Sequence, residues 1–287
     1  MSMANDCSAA ALFYLNQHER LQCFDLATGV AQWDIVLRPN SITGMQIYGN
    51  PIAAGNCLLI GGWRGYTHLH CLNADADIVW VYPHLHDYAT PIPGPWGIAL
   101  PCTRADVRAI AFLDLQTGET VRRVPIPGGV DQNDQGSSVV RYGDMLLATT
   151  RQGGVFALEP THGEGWEQIG QHHTGIARLP VTLTGHSIIF LDSAGMISAI
   201  DLRRGRPAWS LSAHHAPWSC VPAVTIAGVG TVLGTSYGRL YLVDEDGEQQ
   251  AAVTIGRRII SPMGLIGPRT VAFETKGAVV ACRVNET

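Results

Sequence analysis

No run of 18 apolar residues occurs in this 287-residue chain, so no segment reads as a membrane-spanning helix. Basic residues cluster no further than the pairs Arg203–Arg204 and Arg257–Arg258, and the net charge is −5 with a pI near 6.1. That balance lacks the basic face that nucleic acid or an anionic membrane surface requires. No CxxC is present, and the seven cysteines (Cys7, Cys23, Cys57, Cys71, Cys102, Cys220 and Cys282) are odd in number and without close pairs. They read as free thiols, several acting as small apolar strand residues, in a reducing cytoplasm. No 12-residue window carries a 3.6-residue apolar period, which argues against a helical solenoid. HExxH, GxSxG, Walker-type and dinucleotide-binding patterns are absent as well. The start, MSMANDCSAAALFYL, has no basic leader and no convincing cleavage site, so its apolar stretch is expected to be the first strand rather than an export signal.

What the chain does have is a repeat of about 42 residues, clearest from Leu179 to Trp209. Each unit is a Pro-led apolar segment, a turn, a second apolar segment, a Gly turn, an apolar run ending in Asp, another Gly turn, and often Trp. The leading residue recurs as Pro51, Pro91, Ser138, Pro180, Pro222 and Pro262, at spacings of 40, 47, 42, 42 and 40. The end of the third segment recurs as Asp25, Asn73, Asp114, Glu159, Asp201 and Asp244. Four short strands per unit at this period are the pattern of a β-propeller. The expectation is an all-β, seven-bladed propeller of four-stranded antiparallel blades, one domain over residues 1–287. Six units begin at Ala11, Pro51, Pro91, Ser138, Pro180 and Pro222. The seventh, from Pro262, is one strand short, and the stretch before Ala11 is expected to close the ring, since closure removes bare sheet edges.

The segments LQCFDLATGVAQW (21–33), IAFLDLQTGETV (110–121), ISAIDLRRGRPAW (197–209) and GRLYLVDEDG (238–247) resemble the repeats of the PQQ-like propeller superfamily. The resemblance covers nearly the whole chain. It implies that Trp33, Trp80, Trp166 and Trp209 are blade-packing tryptophans on outer strands, since a large buried aromatic holds adjacent sheets together. The superfamily includes quinone-dependent alcohol dehydrogenases and the outer-membrane assembly lipoprotein. The chain lacks the adjacent cysteine pair of those dehydrogenases, so PQQ is not expected, and it lacks the lipoprotein signal of the assembly factor. Fold alone does not assign function.

Histidine supplies the main functional signal. Six of eleven histidines fall in three connections between repeats: His84 and His86, His172 and His173, His214 and His215. Seven residues before each leading position stand His84, Asp131, His173 and His215 in four successive units, with Gly44 and Ile255 in the flanking ones. Adjacent residues in extended chain point to opposite sides, so one member of each pair should face a common site. Three imidazoles and a carboxylate suit acid–base work near neutral pH. They also suit a divalent metal such as Zn, Fe, Cu or Ni. The leading expectation is an enzyme with a His-lined central pocket that cyclises, eliminates, isomerises or hydrolyses a small molecule. Its catalytic set is His84, His173, His215 and Asp131, with the three histidines as alternative metal ligands. His86, Trp218, Arg178 and Arg257 would bind substrate, Arg258 lies beside them, and Asp87, Tyr88 and Asp134 would orient the rings. The alternative is a non-catalytic scaffold that binds a protein partner. Trp63 and Trp96 fall outside the packing register. His68 and His70 read as inter-blade packing, and His18, His162 and His186 as solvated turn residues.

Overall fold

The computed structural model describes residues 2–4, 11–15, 20–25, 28–36, 51–63, 66–84, 90–104, 107–127, 139–150, 152–161, 165–212, 220–235, 237–259, 263–276 and 278–285. These residues form 27 strands and, among them, no helix. The strands pair in chain order into seven antiparallel sheets, six of four strands and one of three. Two compact units hold them: Met1–Asn133 with Pro160–Gly165, and Asp134–Glu159 with Trp166–Thr287.

The first unit holds three sheets. They comprise β1 to β4 (Ser2–Ala4, Ala11–Leu15, Arg20–Asp25, Ala31–Val36), β5 to β8 (Ile52–Ala54, Cys57–Trp63, Tyr66–Leu72, Ile78–Tyr82) and β9 to β12 (Ile92–Gly94, Gly97–Arg104, Val107–Leu113, Thr120–Pro125). The second holds four. Three are complete: β13 to β16 (Val139–Tyr142, Met145–Thr149, Gly154–Leu158, Glu167–Gln171), β17 to β20 (Ile176–Thr184, Ser187–Asp192, Met196–Asp201, Arg206–Ser212) and β21 to β24 (Cys220–Ile226, Gly230–Thr235, Arg239–Val243, Gln249–Thr254). The last has β25 to β27 (Gly264–Gly267, Thr270–Thr275, Ala278–Arg283).

The N-terminal strand goes to the first sheet: β1 pairs with β2, Met3 opposite Leu12. The strand expected to fill out the seventh sheet is thus the inner strand of the first. Among the described residues no fourth strand lies on β27.

Within a sheet the middle strands are the buried ones. Ser187–Asp192 and Met196–Asp201 are buried at every position but the first, while Gln249–Thr254 is exposed throughout. A strand covered on both faces needs a continuous apolar run, and SIIFLD and MISAI provide one. Cores form between neighbouring sheets. Leu59, Leu69 and Cys71 pack with Ile98, Leu100 and Ala111 in the first unit, and Ile197 and Ala199 with Leu233 and Tyr241 in the second.

Two devices recur. The Asp or Asn that ends a third strand folds its side chain over the following turn. Asp25 Oδ1 accepts from Thr28 N–H at 2.8 Å, Asp114 Oδ1 from Gln116 and Thr117 N–H at 2.9 and 2.8 Å, and Asp244 Oδ1 from Glu248 N–H at 2.8 Å. Such Asx turns satisfy backbone donors that no strand reaches. Bonds from the Thr117 and Gln116 amides hold the Asp114 carboxyl below the usual carboxylate range.

The second device is a bulge. In all six four-stranded sheets the outer strand carries one extra residue against the third strand: Gln32, Val79, Val121, Ile169, Ala208 and Gln250. The residues just after it are Trp33, Trp80, Arg122, Gly170, Trp209 and Ala251. The extra residue re-aims these side chains towards the next turn. Trp33 Nε1 donates to Ala74 O at 3.1 Å and Trp80 Nε1 to Leu115 O at 3.0 Å, each the carbonyl just after the next Asx residue. Arg122 Nη2 donates to the equivalent Pro160 O at 2.6 Å, its guanidinium stacked 4.7 Å above the Phe112 ring.

Trp166 is not part of this series. It precedes β16, and Gly170 holds the position after the bulge, where a β-carbon would meet Ile200 Cγ2 at 3.3 Å. Trp166 Nε1 is buried without a hydrogen-bond partner. Trp96, in the β9–β10 turn, covers Gly94.

Gly118, in the Asx turn below Trp80, has φ +70°, and a β-carbon there would lie 2.5 Å from the indole ring. Gly143 has φ +59° and open space around it. Gly143→Ala is therefore expected to cost about 1–2 kcal/mol, for backbone strain alone. Gly118→Val adds displacement of a buried tryptophan and is expected to cost about 3 kcal/mol or more. Urea denaturation midpoints of the two variants test this. Equal losses would show that the Trp80 contact contributes nothing.

Candidate functional site

The functional residues expected from sequence fall unevenly on the structure. His84 follows β8, is exposed, and sets its ring edge-on to Tyr82 at 5.7 Å. Tyr82 Oη accepts from Arg123 Nη2 at 3.0 Å, and burial pushes its phenol up. His173 is exposed in the β16–β17 turn, its ring stacked on His172 at 4.9 Å and 10°. Arg257 and Arg258 are exposed after β24. Arg178 lies in β17, where its backbone is described and its side chain is not. His86, Asp87, Tyr88, Asp131, Asp134, His214, His215 and Trp218 lie outside the described residues.

His84 belongs to the first unit and His173 and Arg257 to the second, so neither unit by itself holds the expected set. Among the described residues no three His, Cys, Asp or Glu side chains group to hold a metal ion.

Of the three histidine pairs only His172 and His173 are both described, and their rings stack on one another, one buried and one exposed. His172 is only 2% exposed and rests edge-on against Phe190 at 5.1 Å. Its partners are residues the sequence did not single out. Thr174 Oγ1 lies 2.9 Å from His172 Nδ1 and donates to Asp192 Oδ2 at 3.1 Å. Ser198 Oγ donates to the same Asp192 oxygen at 3.0 Å and lies 2.8 Å from Ser210 Oγ. Asp192 Oδ1 accepts from the amides of Ala194 and Met196, each at 2.9 Å.

Proton counting fixes the directions. A carboxylate only accepts, so the Thr174 hydroxyl spends its one proton on Asp192 and receives the proton of His172 Nδ1. The neutral ring is thereby the Nδ1–H tautomer. Likewise Ser198 gives its proton to Asp192 and accepts from Ser210. Burial lowers the His172 pKa, the Asp192 charge opposes that, and His173 adds to it.

This chain of groups is built on a structural cap. The residues that close the equivalent second-to-third-strand turns elsewhere in the second unit are Thr150, Thr235 and Thr275. Thr150 Oγ1 accepts from Gly154 N–H, Thr235 Oγ1 accepts from Arg239 N–H at 3.1 Å, and Thr275 Oγ1 donates to Ala278 O. Asp192 does the same work with a charge, and Thr174 and Ser198 donate hydrogen bonds to its second oxygen. The recurrence of a small polar residue at the end of each second strand of the second unit was the signal that could have found it.

Other expectations shift as well. His186 is exposed in its turn but not only solvated, because Tyr142 Oη lies 2.6 Å from its Nδ1. His70 is 6% exposed, and burial followed by His68 lowers its pKa. Among the described residues Cys57, Cys71, Cys102 and Cys282 are free thiols.

Comparison with known proteins then places the architecture. The family model described as outer membrane protein assembly factor BamB matches residues 105–285, well over half of the chain. The crystal structure of BamB from Moraxella catarrhalis superposes with a TM-score of 0.68 at 16% identity, covering 97% of this chain and 80% of that one. No curated protein matches in sequence.

The lowered pKa of His172 sets a sign. The unfolded ring binds a proton below about pH 6.5 while the folded ring resists it. Stability associated with His172 is thus full above about pH 6.5 and falls as the pH drops through that value. His172→Gln, which keeps a donor and cannot titrate, is expected to flatten part of the loss seen by urea denaturation between about pH 7.5 and 5.5. The same slope in variant and wild type would show that His172 is not desolvated. His70 contributes a slope of the same sign, so some pH dependence persists.

Proposed function

The chain belongs to the family of the outer membrane protein assembly factor BamB, a family of PQQ-like β-propeller repeats, and on that premise we propose that it is a non-catalytic interaction propeller. Family membership carries this reading, because the named relative is an assembly factor. In this reading the seven sheets are the blades of one closed ring, to which the N-terminal stretch contributes. A protein partner binds across loops and outer strands, and His172 serves the Asp192 cap rather than chemistry. The free thiols fit a reducing compartment, and we place the protein in the cytoplasm on that ground.

One observation favours a second reading, an acid–base enzyme acting on a small molecule, with or without a divalent metal. The exposed His173 ring lies stacked on a buried His172 that Thr174 and Asp192 orient. A histidine held in one tautomer by a hydroxyl and a carboxylate has the organisation of a proton relay.

Affinity capture with the wild type and with a His84→Ala, His173→Ala, His215→Ala triple variant separates the two, with an unrelated propeller of similar pI as control. The scaffold reading expects the same specific protein retained by both forms and no stoichiometric metal by elemental analysis. Loss of retention in the variant, together with one metal per chain that the variant lacks, would overturn it.

A further inference from the structure

The outer strands are the free edges of these sheets, and most carry the charges or prolines that discourage further pairing. β4 contains Asp34, β12 contains Arg122 and Arg123, β16 contains Glu167, and β20 contains Arg206 and Pro207. β24 has no charge and presents two glutamines, a threonine, two alanines and one exposed valine, Val253. β8 shares their bulge but is the most apolar of them. Its sequence is IVWVY, and Ile78, Val79 and Val81 are 55%, 48% and 43% exposed while Trp80 and Tyr82 turn inward. Its inner side is paired to β7, and among the described residues no strand lies on the other side. An exposed, uncharged, β-branched edge is a template for another strand.

The ends of β8 say which strand. The approach to it is acidic and exposed, with Asp75 and Asp77, and the exit is the exposed His84. The sequence between them reads nearly the same in both directions around Trp80. Two copies of this edge laid antiparallel about a two-fold axis therefore bring apolar residues opposite apolar residues. They also place the acidic start of one strand beside His84 of the other, twice per pair. We propose that β8 is a homodimerisation edge, joining a second copy of the chain by antiparallel strand addition. A two-fold contact uses the same patch on both partners, which a nearly palindromic strand satisfies.

A five-residue strand buries less than a standard interface, so the dimer is weak, with a Kd of about 10–100 μM. The inference stands apart from the choice between scaffold and enzyme.

Sedimentation equilibrium of the full chain across that concentration range tests it. The wild type is expected to dimerise reversibly. Val81→Lys, a solvent-facing change that puts a charge on the edge, is expected to raise the Kd by about tenfold or more while leaving the thermal unfolding midpoint in place. Asp77→Lys is expected to weaken the dimer, and adding His84→Asp to it to restore the association. A wild type that stays monomeric at several hundred micromolar, or a dimer indifferent to Val81→Lys, would overturn the proposal. Failure of the charge exchange to restore association would overturn the antiparallel arrangement.

Discussion

The contact on which the repeated architecture depends is a donor on one sheet's outer strand reaching the carbonyl that follows the next sheet's Asx residue. Trp33 makes it to Ala74 and Trp80 to Leu115, while Arg122 reaches Pro160, which follows Glu159 at the same repeat position. It needs three things at once. A bulge must turn the donor away from its own sheet. An Asx side chain must hold the receiving turn so that one carbonyl stands free. The turn must also present a surface flat enough for a large planar group. Gly118 meets that last demand under Trp80, and Gly247 does so under Trp209.

Arg122 shows that the requirement is physical rather than a demand for tryptophan. A guanidinium is planar, donates from its edge and stacks on an aromatic ring, so over Phe112 it fulfils the same geometric role. Where Gly170 and Ala251 stand after the bulge, no side chain can reach across. At Gly170 the neighbouring sheet closes in directly, with Ile200 and Gly205 where a β-carbon would stand. The tolerance for different residues at one structural position explains how the repeat survives with so little identity between copies.

Buried polarity in the second unit follows from the same economy of turns. Thr150, Asp192, Thr235 and Thr275 close equivalent hairpins, and only Asp192 brings a charge inside. That charge obliges further partners, and Thr174 and Ser198 supply protons to it while His172 supplies one to Thr174. A histidine that looked functional by its register from Pro180 thus has a neighbour with a structural duty. The six loop histidines had one sequence signal between them. Exposure distinguishes His84 and His173 from the buried His172, a distinction that spacing does not contain.

Strand content, repeat length and the Asx positions were legible in the sequence because each rests on local chemistry. Period-two and continuous apolar runs dictate strands, glycine marks turns of positive φ, and Asp or Asn caps the turn it begins. The propeller pattern followed from their spacing, and the family from the resemblance of four repeat segments. Trp33, Trp80 and Trp209 were legible too, since a large aromatic after an outer-strand start has few other uses. Trp166 misled because only the bulge, set by pairing with β15, tells which outer-strand residue faces the neighbour. The N-terminal strand's place beside β2, the substitution of Arg122 for tryptophan and the hydroxyl chain around Asp192 were likewise decided by tertiary structure. Each depends on which distant residue arrives across a sheet or between two sheets, and a linear pattern of side chains records its own periodicity but not the identity of what is packed against it.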